Sequence, residues 1–193
     1  LFKNATSLEY IKIPKIKNEH ALTPYSLFEN CSSLKSIDLS SFTLTQSKNI
    51  NTMFKNCYSL EEVYFPNFDI EQVTTMKSMF ENCTKLTSLD LSHFNTLSVS
   101  DLSYMFKNTN TIESLKINFN TIKVTNMERM FSSCVKLTSL NLKTFDTSSC
   151  NNFNNMFEDD MNLDIYIDKK LCSNLVDNLP SYVHSHGLDE LDE

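Results

Sequence analysis

The residues best suited to chemistry in this chain are its cysteines, and four of the six fall in one column. Cys31, Cys57, Cys83 and Cys134 each stand three residues before a Leu. Thiols at that spacing suggest disulfides or a metal, and stacked neighbours would lie within bonding reach. Three consecutive Cys cannot all pair within one column, however, and Ala5 and Thr109 occupy the same place. What the position requires is a small side chain, so these are expected to be buried free thiols that behave as small hydrophobes. Cys150 replaces a Val and reads the same way, whereas the state of Cys172, in the tail, stays open. No Cys-x-x-Cys spacing points to zinc. His184-x-His186, with Asp189 and Glu190 behind it, offers ligand types for a surface metal, but a polar tail is where solvated histidines ordinarily sit. Three matches to the glycosylation sequon, at Asn4, Asn30 and Asn82, arise from the repeat itself and read as incidental. No nucleophile elbow or metal-protease motif is present, and a single Gly excludes a glycine-rich phosphate cradle. The expectation is a non-enzyme without cofactor or metal.

The elements that carry these residues repeat. Met-Phe opens a similar stretch at Met53, Met79, Met105, Met130 and Met156, and Leu27-Phe28 and Leu1-Phe2 are weaker copies. The spacing is 26 residues except for one step of 25. A fixed period of this length marks a solenoid, whose units bury their apolar faces against one another. Val73, Met76, Met79, Phe80, Cys83 and Leu86 are apolar at steps of three or four, the pattern of a short helix of about two turns. Thr74, Ser100, Thr125 and Asn151 stand where its N-cap would be. Asn4, Asn30, Asn56, Asn82 and Asn108 stand where it should stop, since Asn tolerates the left-handed backbone.

The register then becomes Leu86-x-x-Leu89-x-Leu91, repeated as Leu8/Ile11/Ile13, Leu34/Ile37/Leu39, Leu60/Val63/Phe65, Ile112/Leu115/Ile117 and Leu137/Leu140/Leu142. This is a leucine-rich-repeat core, with a short strand on its last residues stacking into a parallel sheet at a spacing of about 4.8 Å. A Phe column follows the strands at Phe42, Phe68, Phe94, Phe119 and Phe145, where most leucine-rich repeats carry Asn or Cys, and it reads as core packing. The fold expected is an α/β leucine-rich-repeat solenoid: parallel sheet on the concave face, short helices or turns opposite, and a C-terminal helical cap. Residues 1–165 would form six to seven repeats, 166–187 the cap built on Leu171, Leu175, Val176 and Leu179 before Pro180, and 188–193 a disordered acidic tail.

The pattern Met-Phe-x-x-Cys-x-x-Leu-x-x-Leu-x-Leu-x-x-Phe, carried by Met79-Phe80, Cys83, Leu86, Leu89, Leu91 and Phe94 and followed by Val99 and Leu102, resembles the BspA-like leucine-rich repeats. It covers roughly residues 1 to 165. That resemblance implies a secreted or surface-displayed protein of bacteria or protists, with adhesion or host-protein binding as its role. The chain itself begins inside a repeat motif at Leu1, without a signal peptide, and reads as an excised or processed fragment.

Hydrophobic residues make up 40% of the chain, ample for a core, and the formal net charge of -7 argues against nucleic acid or an anionic membrane as partner. No stretch approaches the ~18 apolar residues of a membrane span. Function is therefore sought on a surface. Three columns flank the strand core and point out of the sheet; one contains Glu62, the next Asp38, Tyr64, Asp90 and Lys116. Hot spots favour Trp, Tyr and Arg, and these columns hold two Tyr and no Arg. Asp38, Glu62, Tyr64, Asp90 and Lys116 form the candidate protein-binding patch, and its acidity favours a basic protein partner. The leading reading is a recognition or adhesion module; the alternative is a structural spacer or assembly subunit that packs against neighbouring chains. Oligomeric state is not encoded in these patterns.

Overall fold

A computed structural model describes residues 1–13, 24–41, 47–65 and 69–187. Within them the repeat resolves into two parallel ladders, one of strands and one of turns, with the core between them. The strand ladder comprises β1 (Tyr10–Lys12), β2 (Ser36–Asp38), β3 (Glu62–Tyr64), β4 (Ser88–Leu91), β5 (Ser114–Ile117), β6 (Ser139–Asn141) and β7 (Leu163–Tyr166), followed by a short α1 (Ser173–Val176) and β8 (Val183–His186). All pairing is parallel, in the orders β1-β2-β3, β4-β5 and β6-β7-β8. The repeat period sets the register: Ile11 faces Ile37, Ile37 faces Val63, and Leu89 faces Leu115. Alternate residues of β4 and β5 are buried and exposed, as one solvated sheet face demands. The 25-residue step falls just after β5, where Ile117 is followed two residues later by Phe119; Leu91 and Leu142 stand three residues before their Phe. The turn bonds Phe94 N–H to Leu91 O and Phe145 N–H to Leu142 O have no counterpart there, and pairing between β5 and β6 lapses beside it.

Opposite the sheet, the expected two-turn helices are absent among the described residues, and turns stand in their place. In the unit from Met76 to Leu86, the amides of Met79, Glu81, Cys83 and Leu86 bond the carbonyl three residues back. Those of Met76, Ser78, Phe80 and Asn82 bond Asp101, Ser103, Met105 and Lys107 in the next unit, at 2.8–3.0 Å. Half of the amides thus close local turns and half tie neighbouring units together. The backbone enters the left-handed region at Ser78 (φ 57°) and Asn82 (φ 65°), which resets the chain every four residues and prevents a helix from propagating. A two-turn helix would be marginal alone, whereas this arrangement satisfies the same groups through the neighbours a solenoid always supplies. Thr74, Ser100 and Thr125 accordingly cap nothing. Their hydroxyls donate to the carbonyls of Lys48, Thr74 and Ser100, the equivalent residues one unit earlier.

Side chains repeat the same logic. The Asn column is a continuous amide ladder: Asn30, Asn56, Asn82 and Asn108 each donate to the Oδ1 of the preceding Asn at 2.6–2.8 Å. The sequon nitrogens of Asn30 and Asn82 are therefore rungs. Seven Phe rings, from Phe2 to Phe157, stack with centroids 5.4–5.8 Å apart and planes within 13°. This spacing exceeds the ~4.8 Å strand separation, so the rings are offset, the arrangement their quadrupoles favour. The stacked spine is thus the Phe of Met-Phe. In the post-strand column Phe94, Phe119 and Phe145 are buried, and Phe94 meets Phe65 edge-on; Phe42 and Phe68 lie outside the described residues.

All six Cys are free and buried. In the main column Cys31, Cys57, Cys83 and Cys134 point Sγ at the carbonyls of Phe2, Phe28, Phe54 and Phe106 at 3.1–3.3 Å, and Thr109 donates its hydroxyl to Phe80 at 3.0 Å. At these five places a small side chain gives a proton to the carbonyl, which Thr does as well as Cys; Ala5, at the head of the column, has none to give. Burial pushes these thiols up, far from the thiolate range in which cysteine reacts. Cys172 is also buried, directed at the Phe145 carbonyl at 3.2 Å.

The C-terminal closure differs from expectation. The helical cap amounts to one turn, in which only Leu175 is buried and no side chain caps the start. Pro180 ends the segment, and β8 then adds a further parallel strand, pairing Val183 with Leu163. Sheet continuation, with a single helical turn before it, replaces the expected cap. The acidic tail, including Asp189 and Glu190, lies outside the described residues.

Asp160 occupies the Cys column of the last turn unit. It is 1% exposed, and neither carboxyl oxygen has a hydrogen-bond partner. Burial, reinforced by the neighbouring Asp159 carboxylate, pushes its pKa up to about 8. A protonated carboxyl avoids leaving an unpaired charge in the core. In the unfolded chain Asp160 ionises near the ordinary ~3.9. Between pH ~4 and ~8 the folded state therefore holds a proton the unfolded state has released, and stability falls as pH rises through that window. Asp160→Cys should match the parent near pH 4 and exceed its Tm by roughly 5 °C or more at pH 8, at ~2–4 °C per kcal/mol for a chain of this size. Thermal melts at the two pH values check this; parallel pH profiles would contradict it.

Candidate functional site

The strands deliver the five candidate residues to one face in two groups. On β2 and β3, Asp38 is the register partner of Tyr64, and Ser36 that of Glu62. On β4 and β5, Asp90 faces Lys116, whose Nζ lies 3.9 Å from Asp90 Oδ2. β3 and β4 belong to separate ladders, and a shallow groove of about 270 Å³ lies along their junction. Glu62, Asp90 and Lys116 line it together with Glu61, Ser88 and Ser114. Asp38 and Tyr64 do not line the groove; Asp38 lies on β2 and Tyr64 at the far end of β3, 56% exposed.

The two aspartates are held by their own turns. Ser40 N–H donates to Asp38 Oδ1 at 2.7 Å, and this amide first, with the Ser40 side chain second, holds the Asp38 carboxyl below the usual range. At Asp90 the Ser92 hydroxyl at 2.6 Å is the larger influence and the Ser92 amide at 3.0 Å the second, with the same downward direction. Each carboxylate is thus ionised and fixed in direction near neutral pH, with its second oxygen presented outward. Lys116 is 71% exposed and screened by water, so its contact with Asp90 contributes little to stability. It does temper the negative field at that end of the groove. The denser negative charge lies at the β3 edge, where Glu61 and Glu62 are adjacent and exposed.

Glu61 is the lining residue that the column reading missed. It directly follows Leu60, one residue outside the positions assigned to the sheet face. Its column reads Glu9, Lys35, Glu61, and the first two are paired at 2.7 Å across the units, a charge alternation visible in the sequence. Elsewhere, His184 and His186 on β8 both approach Asp164 Oδ1, at 3.5 and 2.8 Å, and His186 stacks on Tyr166. The pair thus ties the last strand to its neighbour. Among the described residues no group of three His, Cys, Asp or Glu side chains could hold a metal ion. No helix there is long and apolar enough to cross a membrane.

A family model described as "Mycoplasma protein of unknown function, DUF285" matches the chain in three overlapping stretches, residues 1–88, 24–139 and 74–179. No curated protein matches. Among solved structures, a leucine-rich repeat protein from Bacteroides ovatus is similar at 20% identity with a TM-score of 0.35, covering 95% of this chain. The chain spans 61% of that structure's length.

Replacing Ser92 by Ala removes the hydroxyl that most favours Asp90 ionisation. In an NMR titration of the carboxyl carbons, the Asp90 pKa should rise toward its ordinary value while Asp38 stays in place. An unchanged Asp90 would show that its turn does not set its charge.

Proposed function

The chain belongs to the DUF285 family, a BspA-like leucine-rich-repeat group, and from that premise we propose that it is a non-enzymatic recognition module. It captures a basic segment of a protein ligand on the sheet face, and its place of work is a cell surface or the secreted fraction, with adhesion as the biological outcome. The observation that carries this reading is the groove between β3 and β4, where Glu61, Glu62 and Asp90 converge beside Ser88 and Ser114. Two features support recognition in preference to chemistry. The face has fixed anionic acceptors and an exposed aromatic in Tyr64, the materials of an interface hot spot. The buried thiols, meanwhile, are committed to packing. A rigid sheet loses little entropy on binding, because its exposed positions are already ordered by the ladder.

The second reading, a spacer or assembly subunit, is favoured by a different observation, the continuous Phe stack and Asn ladder that run through the array. Mutation separates the two. Immobilised protein should capture a basic surface protein from cell-surface extracts, with association slowing as salt is raised. Asp90→Lys, Glu62→Lys and Tyr64→Ala should each reduce capture of that identified partner at least about tenfold, with Tm unchanged. Undiminished capture by all three variants would overturn the sheet-face reading.

A further inference from the structure

Two lysines on the turn side are laid over one ring. Lys77 Nζ lies 5.4 Å from the centre of the Tyr104 ring and Lys107 Nζ 5.6 Å, the first coming from the preceding unit and the second from the same one. Other cations of the turn units meet carboxylates: Lys3 pairs with Glu29, Lys55 with Glu81 and Arg129 with Glu158. Among the described residues neither Lys77 nor Lys107 is in an ion pair. Lys77 is exposed and Lys107 half-buried.

Tyr104 is an exception in its own column, which reads Ser26, Thr52, Ser78, Tyr104, Arg129, Asn155, all in the left-handed region. Tyr104 has φ 62°, and a large ring is uncommon there. Its hydroxyl donates to Glu128 in the next unit, which fixes the ring across the array. A lysine entering an interface ordinarily gives up much side-chain freedom. Two lysines already resting on an anchored ring have less to lose. The turn face thus presents a pair of ordered ammonium groups.

The sheet, on the opposite side of the core, presents acids at the same step. Glu61 and Glu62 belong to one unit and Asp90 to the next, and all three line the groove between β3 and β4. Lys77 and Lys107 likewise belong to successive units, and one repeat sets the unit step of about 4.8 Å on both faces. A second copy laid turn side down on the sheet therefore brings two ordered cations over acids of matching periodicity. The formal net charge of -7 on each copy opposes their approach, so the contact is a weak one that depends on this local match.

We propose that the sheet face of one copy docks on the turn face of a second copy, with Glu61, Glu62 and Asp90 receiving Lys77 and Lys107. This rests on the sheet-face reading above and names the partner as the chain itself. Because the two patches lie on opposite sides of the core, each docked copy leaves one face of each kind open, and the contact repeats. Surfaces that carry the module adhere to one another through it.

Sedimentation velocity of the purified protein over rising concentration is the test. The weight-average sedimentation coefficient should climb with concentration, and less steeply in about 1 M salt than in about 0.15 M. Lys77→Glu combined with Lys107→Glu should weaken self-association at least about tenfold, as should Glu62→Lys combined with Asp90→Lys, each with Tm unchanged. Tyr104→Ser restores the kind of residue usual in the column, so it should weaken association about two- to fivefold without lowering Tm. Mixing the two double variants should restore association, because each supplies the face the other lacks. A coefficient independent of concentration, undiminished association of the lysine variant, or no complex on mixing would each overturn the proposal. If the parent stays monomeric yet captures a different basic protein through Glu62 and Asp90, the sheet-face reading stands and self-docking fails.

Discussion

The structure depends on one constraint: every second amide on the turn side must find its acceptor in the neighbouring unit. A helix satisfies its interior amides within itself and can dock anywhere. These turns satisfy half of theirs only by stacking, which makes the solenoid obligatory. The left-handed residues follow from it, because a backbone that alternates local turns with outward donors must reverse hand every four residues. Each such non-Gly residue costs roughly 1–2 kcal/mol, offset by the amide it aligns and, in the Asn column, by a side-chain rung. The near-absence of Gly then makes physical sense. Gly would allow the conformation but would remove the rung.

The same constraint sorts the buried polar groups. A carbonyl facing the core between two units needs a second donor, and the Cys column gives it one through Sγ, or through the hydroxyl of Thr109. Unreactive thiols and a Thr hydroxyl are two answers to one local demand. Function is then left to positions that the ladders do not use. On the sheet these are the outward columns, where Asp38 and Asp90 are fixed by their own turns.

Much of this was legible in the sequence. The period located the units, and the L-x-x-L-x-L triplets located all six strands they predicted, with the outward columns in the expected register. The turn side was not legible, because Val73, Met76, Met79, Cys83 and Leu86 keep a step of three or four that suits a helix and a chain of turns equally. Inter-unit bonds separate the two, and they leave no trace in spacing. The end of the array misled for a related reason: Leu171, Leu175, Val176 and Leu179 satisfy helical periodicity, yet one helical turn precedes a strand that continues the sheet. At the candidate face the exposed residues were legible, whereas the groove was not, since it arises from a lapse in pairing between β3 and β4 and recruits Glu61 from outside the assigned columns.

The obligatory inter-unit bond is the claim on which all of this rests, and scalar couplings across hydrogen bonds observe it directly by NMR. Couplings should connect the amide nitrogens of Ser78, Phe80 and Asn82 to the carbonyl carbons of Ser103, Met105 and Lys107. Couplings from those amides to carbonyls four residues earlier in their own unit would restore the helix and contradict the account.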